Sequence, residues 1–546
     1  MSSRERWPDD RVSEKDPEPS AAEINQLRSL GIALEQQGLH EAAFKAFDRA
    51  VLLRPGDAGL WASRGNALAN LARPEESLTS YQRVLQLNPD NADAAFRCGL
   101  LLLTLKRPEQ ALPCFDLTDE LSPNHPAVLE QRALALHALR RFDEALADNR
   151  LALALNPTSA DICNNIGACL QGLSRDEEAL PWFDKSLALR PGSVVALVNK
   201  AHSLTQILRL DEAMGIYRHV RAIDPGNADA MWNSALLCLL TGDFAAGWAE
   251  REIRWQAHMR PPYPHFTQPK WCGTQDIEGR TVLLYAEEGN GDTIQFVRYA
   301  PDLAARGARV ILAVQDALQP LLTGLPGVSL CIPRSSPLPP FDLHCPICSL
   351  PFAFGTRLET IPSVTPYLPP PAQARLQSWE RRLRERLGPE RTCRVGLVWS
   401  GNPNHGNDRN RSVPLRTLLR LLDLDAAFVS LQKDARPEDQ AILEQEGIVD
   451  LTAGLSDFAE TAALVSCLDV VITVDTSIAH LAGALARPVW IMLPYSPDFR
   501  WLLDRDDSPW YPTARLFRQA ASRDWNEVIE RVRNELVPRV RSFGAQ

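Results

Sequence analysis

Residues 471–480, VITVDTSIAH, hold side chains of the types that could bind an anion. The β-branched run Val471, Ile472, Thr473 and Val474 reads as a buried strand that passes straight into Asp475, Thr476 and Ser477. Where a strand turns into a helix, the first helical N–H groups lack partners and the helix dipole is positive, so the turn favours a phosphate or carboxylate. His480, four residues after Thr476, shares its helical face, and Gly483 with nearby alanines lets the helix approach the sheet. The same residues equally suit an ordinary N-cap by Asp475 or Thr476 beside a satisfied core histidine, because capping and anion binding draw on the same chemistry.

The elements that must position this turn alternate from residue 280 onward. GRTVLLYAEEGNGDTIQF begins a strand at 281–287, a glycine-containing turn at 289–291 and a helix at 293–306, with a strand at 308–314 completing a βαβ unit. Further strands are expected at 328–332 and 341–347. A polar helix, 372–388, precedes a second pattern: strand 394–400, polar loop 401–412, helix 415–422, strand 427–432, helix 457–467, strand 470–474, a helix from 477 and a strand at 489–494. The expectation is two Rossmann-like halves, 280–370 and 393–546, joined by a connecting helix at 371–392, with ligands at the carboxyl ends of the strands.

The first half has another period. Prolines at 55, 89, 123, 157, 191 and 225 are 34 residues apart. Gly31, Gly65, Gly99, Ala133, Gly167, Ala201 and Ala235 keep the same step, as do Phe47, Tyr81, Phe115, Phe183 and Tyr217, with Asn149 the one departure. Small residues where two helices cross, an aromatic beyond and a proline ending the second helix describe a helix pair per repeat. This register resembles the tetratricopeptide repeat. It implies an α-solenoid over 21–255, six repeats plus an atypical one at 231–255 that caps the stack, and then a linker at 256–279. Asn165, Asn199 and Asn233 form a column of carboxamides able to hydrogen-bond an extended acceptor peptide, similar to the asparagine ladder of O-GlcNAc transferase; the open alternative is a solvent-facing position that tolerates small polar residues.

The D-T-x-x-x-H-L-A motif at 475–482 resembles the bacterial heptosyltransferases, inverting glycosyltransferases of the GT-B fold. The resemblance implies that Asp475, Thr476 and His480 surround a donor's diphosphate. It also matches Gly291 and Asp292, in G-D-T-I at 291–294, to the family's turn after the first strand, making Asp292 the candidate catalytic base. D-T-I-Q is at the same time a capping box, with Gln295 three residues on. Solenoid followed by GT-B is similar to bacterial tetratricopeptide-repeat glycosyltransferases, although Asn290 stands where an apolar residue is usual.

The implied reaction moves a sugar from a nucleotide sugar to an acceptor with inversion. Asp292 would take the acceptor's proton while the departing phosphate is stabilised by the 475–477 turn, His480 and the loop cations Arg409, Arg411 and Lys433; each cation could also be only a solvated charge. No metal or other cofactor is expected, since the D-x-D tripeptides at 423–425 and 504–506 follow no convincing buried strand. Trp501, Trp510 and Tyr511 could flank a substrate or pack between the domains. The expected partner is a protein acceptor, such as flagellin, held by the repeats. The alternatives are a glycan or lipid-linked acceptor, and a scaffold whose GT-B half is inactive.

Composition sets the frame. The chain has 546 residues, 45% of them hydrophobic and 23% charged, with a formal charge of -10, which argues against nucleic acid as a partner. Residues 1–20 read as a disordered tail, and no apolar run is long enough to span a membrane. The eleven cysteines follow no disulfide framework, and Cys345 and Cys348 form a lone C-x-x-C best read as buried thiols; both points make the cytoplasm the expected compartment.

Overall fold

The computed structural model describes residues 21–257, 266–388, 392–445 and 447–544. The expected tail at 1–20 and part of the expected linker therefore lie outside the described residues. Two compact units are present, Met1–Ala196 and Leu197–Gln546.

The first unit is helical, running in packed pairs from Ala21–Gln36 and His40–Leu53 to Ala160–Gly172 and Asp176–Leu189. Its second helices end at Leu53, Leu87, Leu121, Leu155 and Leu189, each two residues before a proline of the 34-residue series. First helices are started by side chains such as Asp57, Asn91 and Ser159, which accept the N–H three residues on. The small-residue series has a steric cause. A Cβ on Gly31, Gly65, Gly99 or Gly167 would lie 2.4–2.7 Å from the ring of Phe47, Tyr81, Phe115 or Phe183, sixteen residues on. Asn149 breaks the aromatic column yet is 1% exposed, because its amide donates to the Ala145 carbonyl at 2.9 Å.

The second unit begins with further helices, among them Leu210–Ile223, Ala228–Leu240 and Phe244–Glu250. The segment expected to cap the stack at 231–255 also packs against the α/β domains. Leu239, Leu240, Phe244 and Trp248 belong to the same core as the α/β sheets, and Trp248 meets Phe296, Phe499 and Trp510 edge-on at 5.7–6.4 Å. Aromatic area of this size is worth more buried against the sheet domains than shielded by a polar cap. Trp271, in the expected linker, is likewise fully buried and donates its N–H to the His344 carbonyl at 2.8 Å.

Two parallel sheets follow, as the GT-B reading requires. β1 (Thr281–Tyr285), β2 (Arg309–Val314), β3 (Val328–Pro333) and β4 (Leu343–Pro346) are ordered β3-β2-β1-β4. β5 (Cys393–Val398), β6 (Ala426–Ser430), β7 (Val449–Asp450), β8 (Val470–Val474), β9 (Val489–Leu493) and β10 (Ala514–Arg518) are ordered β10-β9-β8-β5-β6-β7. The two edge strands, β7 and β10, escaped the sequence reading: one has two residues, and the other, ARLFR, places charges at a sheet margin.

A buried ion-pair cluster ties the last helices to β1. Arg251 donates to Glu288 at 2.5 Å, and Arg254, with no exposed surface, donates to Glu287 at 2.9 Å, Glu252 at 2.8 Å and the Ser349 hydroxyl at 2.7 Å. Burial pushes the Glu287 carboxyl up to about 7, against the pull of Arg254. Burial acts the same way on Glu288, but Arg251 and Arg254 hold it below the usual range.

Two outcomes test this packing. Gly167→Ala should lower stability by about 1–2 kcal/mol, overpacking against Phe183 exceeding the helix-propensity gain, whereas Gly215→Ala, with nothing within 4 Å of its Cβ, should raise it by up to about 1 kcal/mol; thermal melts decide. A carboxyl whose pKa is raised by folding contributes stability that is full below its unfolded value of 4.5 and is lost as pH rises through about 7. The melting temperature should fall across that window in the native chain, and Glu287→Gln should flatten the slope.

Candidate active site where two helix starts meet

The strand-to-helix turn after β8 forms where the sequence places it. Thr476 is the N-cap of helix Ser477–Ala484: its hydroxyl accepts the Ile478 N–H at 3.3 Å and lies 3.2 Å from the Thr473 hydroxyl. After β1, Gly289 is the N-cap of helix Asn290–Phe296, and Asp292 is its third residue, with Oδ2 accepting the Gly289 N–H at 2.9 Å. Asp292 thus reaches back to the N-cap N–H one turn earlier than D-T-I-Q suggested, and Gln295 is released for other work.

These helix starts face one another. A Cβ on Gly291 would lie 2.8 Å from His480 Cδ2 and 3.4 Å from Ser477 Cα, so only a glycine permits the approach. Asp292 follows Gly291 on the helix start that faces Ser477 and His480. His480 is 5% exposed, its Nδ1 is 2.9 Å from the Tyr511 hydroxyl, and its ring stacks on Trp501 at 5.5 Å. Burial, followed by Arg500 and Arg298, keeps its pKa well below the usual value, so the imidazole is neutral. Gly483 serves the ring of Tyr511, which a Cβ would meet at 2.5 Å, rather than the sheet. Trp501, Trp510 and Tyr511 are fully buried, so packing between the domains is their observed role. Arg298 completes that packing, donating to the carbonyls of Trp510 and Pro362 at 2.9 and 3.0 Å.

Of the three cations, Arg411 reaches the turn, donating to the Asp475 carbonyl at 3.0 Å from a guanidinium packed over Gly401. Arg409 and Lys433 are exposed, and their side chains make no hydrogen bond or ion pair among the described residues. Their neighbours take the inward positions: Gln432 accepts the Trp399 and Ser400 N–H groups at 3.3 and 3.0 Å. The three asparagines are half-buried; Asn165 lies in the first unit, Asn199 and Asn233 in the second. Asn233 spends a donor on the Asp229 carbonyl of its own helix, at 2.9 Å.

Sequence reading missed Arg500. It lies in the 496–512 loop, is 8% exposed, and pairs with Asp292 Oδ1, with Asp498 at 2.8 Å and with the Gln295 carboxamide oxygen at 2.6 Å. Glu288 and Asp475 also act on it electrostatically. Burial raises the Asp292 carboxyl and Arg500 opposes it; burial and then Asp498 push Asp475 up to about 6. The available signal was a single arginine among the aromatics of PDFRWLL, which nothing in its spacing connects to residue 292.

Glu287, Glu288 and Cys348 bring three potential metal-ligand atoms within 4.8 Å of one another, but Arg251 and Arg254 already compensate the two carboxylates. Cys345 and Cys348 are buried, and burial pushes both thiols well up, so they behave as the buried thiols expected. In the D-x-D tripeptides, Asp423 pairs with Arg533 at 2.7 Å, and Asp425, Asp504 and Asp506 are exposed.

Comparison with known proteins adds to this geometry. Residues 63–126 match the family described as tetratricopeptide repeat, and residues 429–498 match glycosyltransferase family 9 (heptosyltransferase). The second match contains the 475–480 turn; Asp292 and Arg500 fall outside it. Protein FlbA of Caulobacter vibrioides (strain ATCC 19089 / CIP 103742 / CB 15) is 28% identical over 331 residues, 55% of this chain, and the chain spans about half, 54%, of that relative's length. Among solved structures, a tetratricopeptide repeat protein from Parabacteroides merdae ATCC 43184 is 16% identical, covering 44% of this chain and 94% of its own, with a TM-score of 0.39. YrrB, described as a tetratricopeptide-repeat protein with an unusual peptide-binding site, is 25% identical, covering 34% and 93%, with a TM-score of 0.31. The chain thus carries one stretch similar to tetratricopeptide repeats and another similar to the heptosyltransferases of glycosyltransferase family 9.

Proposed function

We propose that this protein transfers a glycosyl group from a nucleotide sugar to an acceptor with inversion. The observation that carries the reading is the Gly291 contact, which brings the helix start bearing Asp292 against the start of helix Ser477–Ala484. In this scheme the donor's diphosphate sits at Asp475, Thr476 and Ser477, where N–H groups at the helix start and the nearby Arg411 guanidinium offset its growing charge. Asp292 accepts the acceptor's proton as its oxygen or nitrogen attacks the anomeric carbon. Burial makes it a better base than an exposed aspartate. His480 stays neutral and holds the two helix starts in register. Arginines supply the positive charge in place of a metal ion.

The acceptor in this reading is a protein recruited by the repeats, with Asn165, Asn199 and Asn233 as candidate backbone contacts. No helix among the described residues is long and apolar enough to cross a membrane, and all eleven cysteines are free, which supports work in the cytoplasm. A second reading, a scaffold with an inactive α/β half, is favoured by two observations: His480 is sealed and Asp292 is already paired.

Thermal shift with a panel of UDP, GDP, ADP, CMP and dTDP separates the two. Selective stabilisation that Asp475→Ala removes supports the enzyme, and no shift with any ligand supports the scaffold. Asp292→Asn should abolish transfer while leaving nucleotide affinity within about tenfold; retained turnover would remove Asp292 as the base.

A further inference from the structure

Asp292 has a competing partner. A carboxylate locked to a guanidinium is a weaker proton acceptor than a free one, since the pair stabilises its charged form. The Arg500 ion pair therefore works against the role proposed for Asp292, and a functioning base needs that pair to open.

The surroundings of Arg500 show what could open it. Its chain neighbours Phe499 and Trp501 are buried, as are Trp510 and Tyr511 of the same loop. Its guanidinium lies over Phe499, 4.4 Å from the ring centroid, and already spans partners on two elements, Asp498 on its own loop and Asp292 with Gln295 on the facing helix. The other Gln295 amide atom, Nε2, is buried without a partner, so a donor beside this cation lacks an acceptor. An acceptor-only group of double negative charge would satisfy both. Exchanging one buried anion for another leaves Arg500 paired throughout, which avoids the cost of stranding a buried charge.

We infer that Arg500 is a positioning residue that masks Asp292 in the unliganded protein and transfers its guanidinium to the diphosphate of an arriving nucleotide, freeing Asp292. The inference rests on the glycosyl-transfer reading and gives it a gate: the carboxylate becomes a competent base only when a donor is in place, which limits wasteful chemistry on an empty site. No covalent bond changes in this step; one ion pair is traded for another.

The signs of two substitutions distinguish this exchange from a fixed structural pair. Full-length protein is titrated calorimetrically with UDP, GDP, ADP and dTDP. For whichever diphosphate binds, Asp292→Asn should tighten binding by about fivefold, because it removes the competitor for Arg500. Arg500→Lys, or Arg500→Gln should the lysine variant not fold, should weaken binding by about tenfold or more. In the double variant the gain from Asp292→Asn should vanish. Unchanged or weaker binding in Asp292→Asn, or a gain that persists without Arg500, would overturn the exchange while leaving the enzyme reading intact. A folded native protein that binds none of the diphosphates would overturn both.

Discussion

The contact between Gly291 and the start of helix Ser477–Ala484 is the constraint on which the rest of the site depends. Two Rossmann-like domains, each stable through its own parallel sheet, could hold their strand ends at many separations. A hydrogen atom in place of a side chain at residue 291 lets His480 and Ser477 come within van der Waals reach of the opposite helix. The helix starts that carry Asp292 and Thr476 are thereby brought face to face, and the loop that carries Arg500 reaches Asp292.

That loop is held by aromatic packing. Trp501 supports His480, Tyr511 hydrogen-bonds it, and Trp510 lies among Phe296, Phe244 and Trp248. Helix Phe244–Glu250, which belongs to the repeat pattern, is therefore part of the wall behind the site. Arg251 and Arg254 extend the same connection to Glu287 and Glu288 just after β1. The last repeat is continuous in packing with the residues that position the candidate base. Charge is dense here and nearly balanced: carboxylates of Glu287, Glu288, Asp292, Asp475 and Asp498 are set against Arg251, Arg254, Arg411 and Arg500.

Much of the fold could be read from patterns with a local cause. The 34-residue prolines mark helix ends because proline cannot continue a helix, and the glycine series follows from aromatic rings seated sixteen residues on. Among the described residues, eight of ten strands were expected from the sequence. The two that were not are edge strands without an apolar run, one of two residues and the other, ARLFR, carrying charges. Within the site, the turn at 475–477 and its histidine were legible because a helix start is a local event. Arg409 and Lys433 stood as candidates beside Arg411, because loop sequence does not say which cations turn inward.

By itself, then, the sequence determined the repeats, the two nucleotide-type halves and the pair of helix starts, since each depends on residues near one another in the chain. Tertiary structure alone decided that Asp292 meets Arg500, a pairing across 208 positions, and that Leu239, Leu240, Phe244 and Trp248 of the last repeat join the α/β core. The physical reason is the same in both cases. Long-range ion pairs and aromatic burial depend on which surfaces the packed domains bring together, and no periodicity in the chain records that choice.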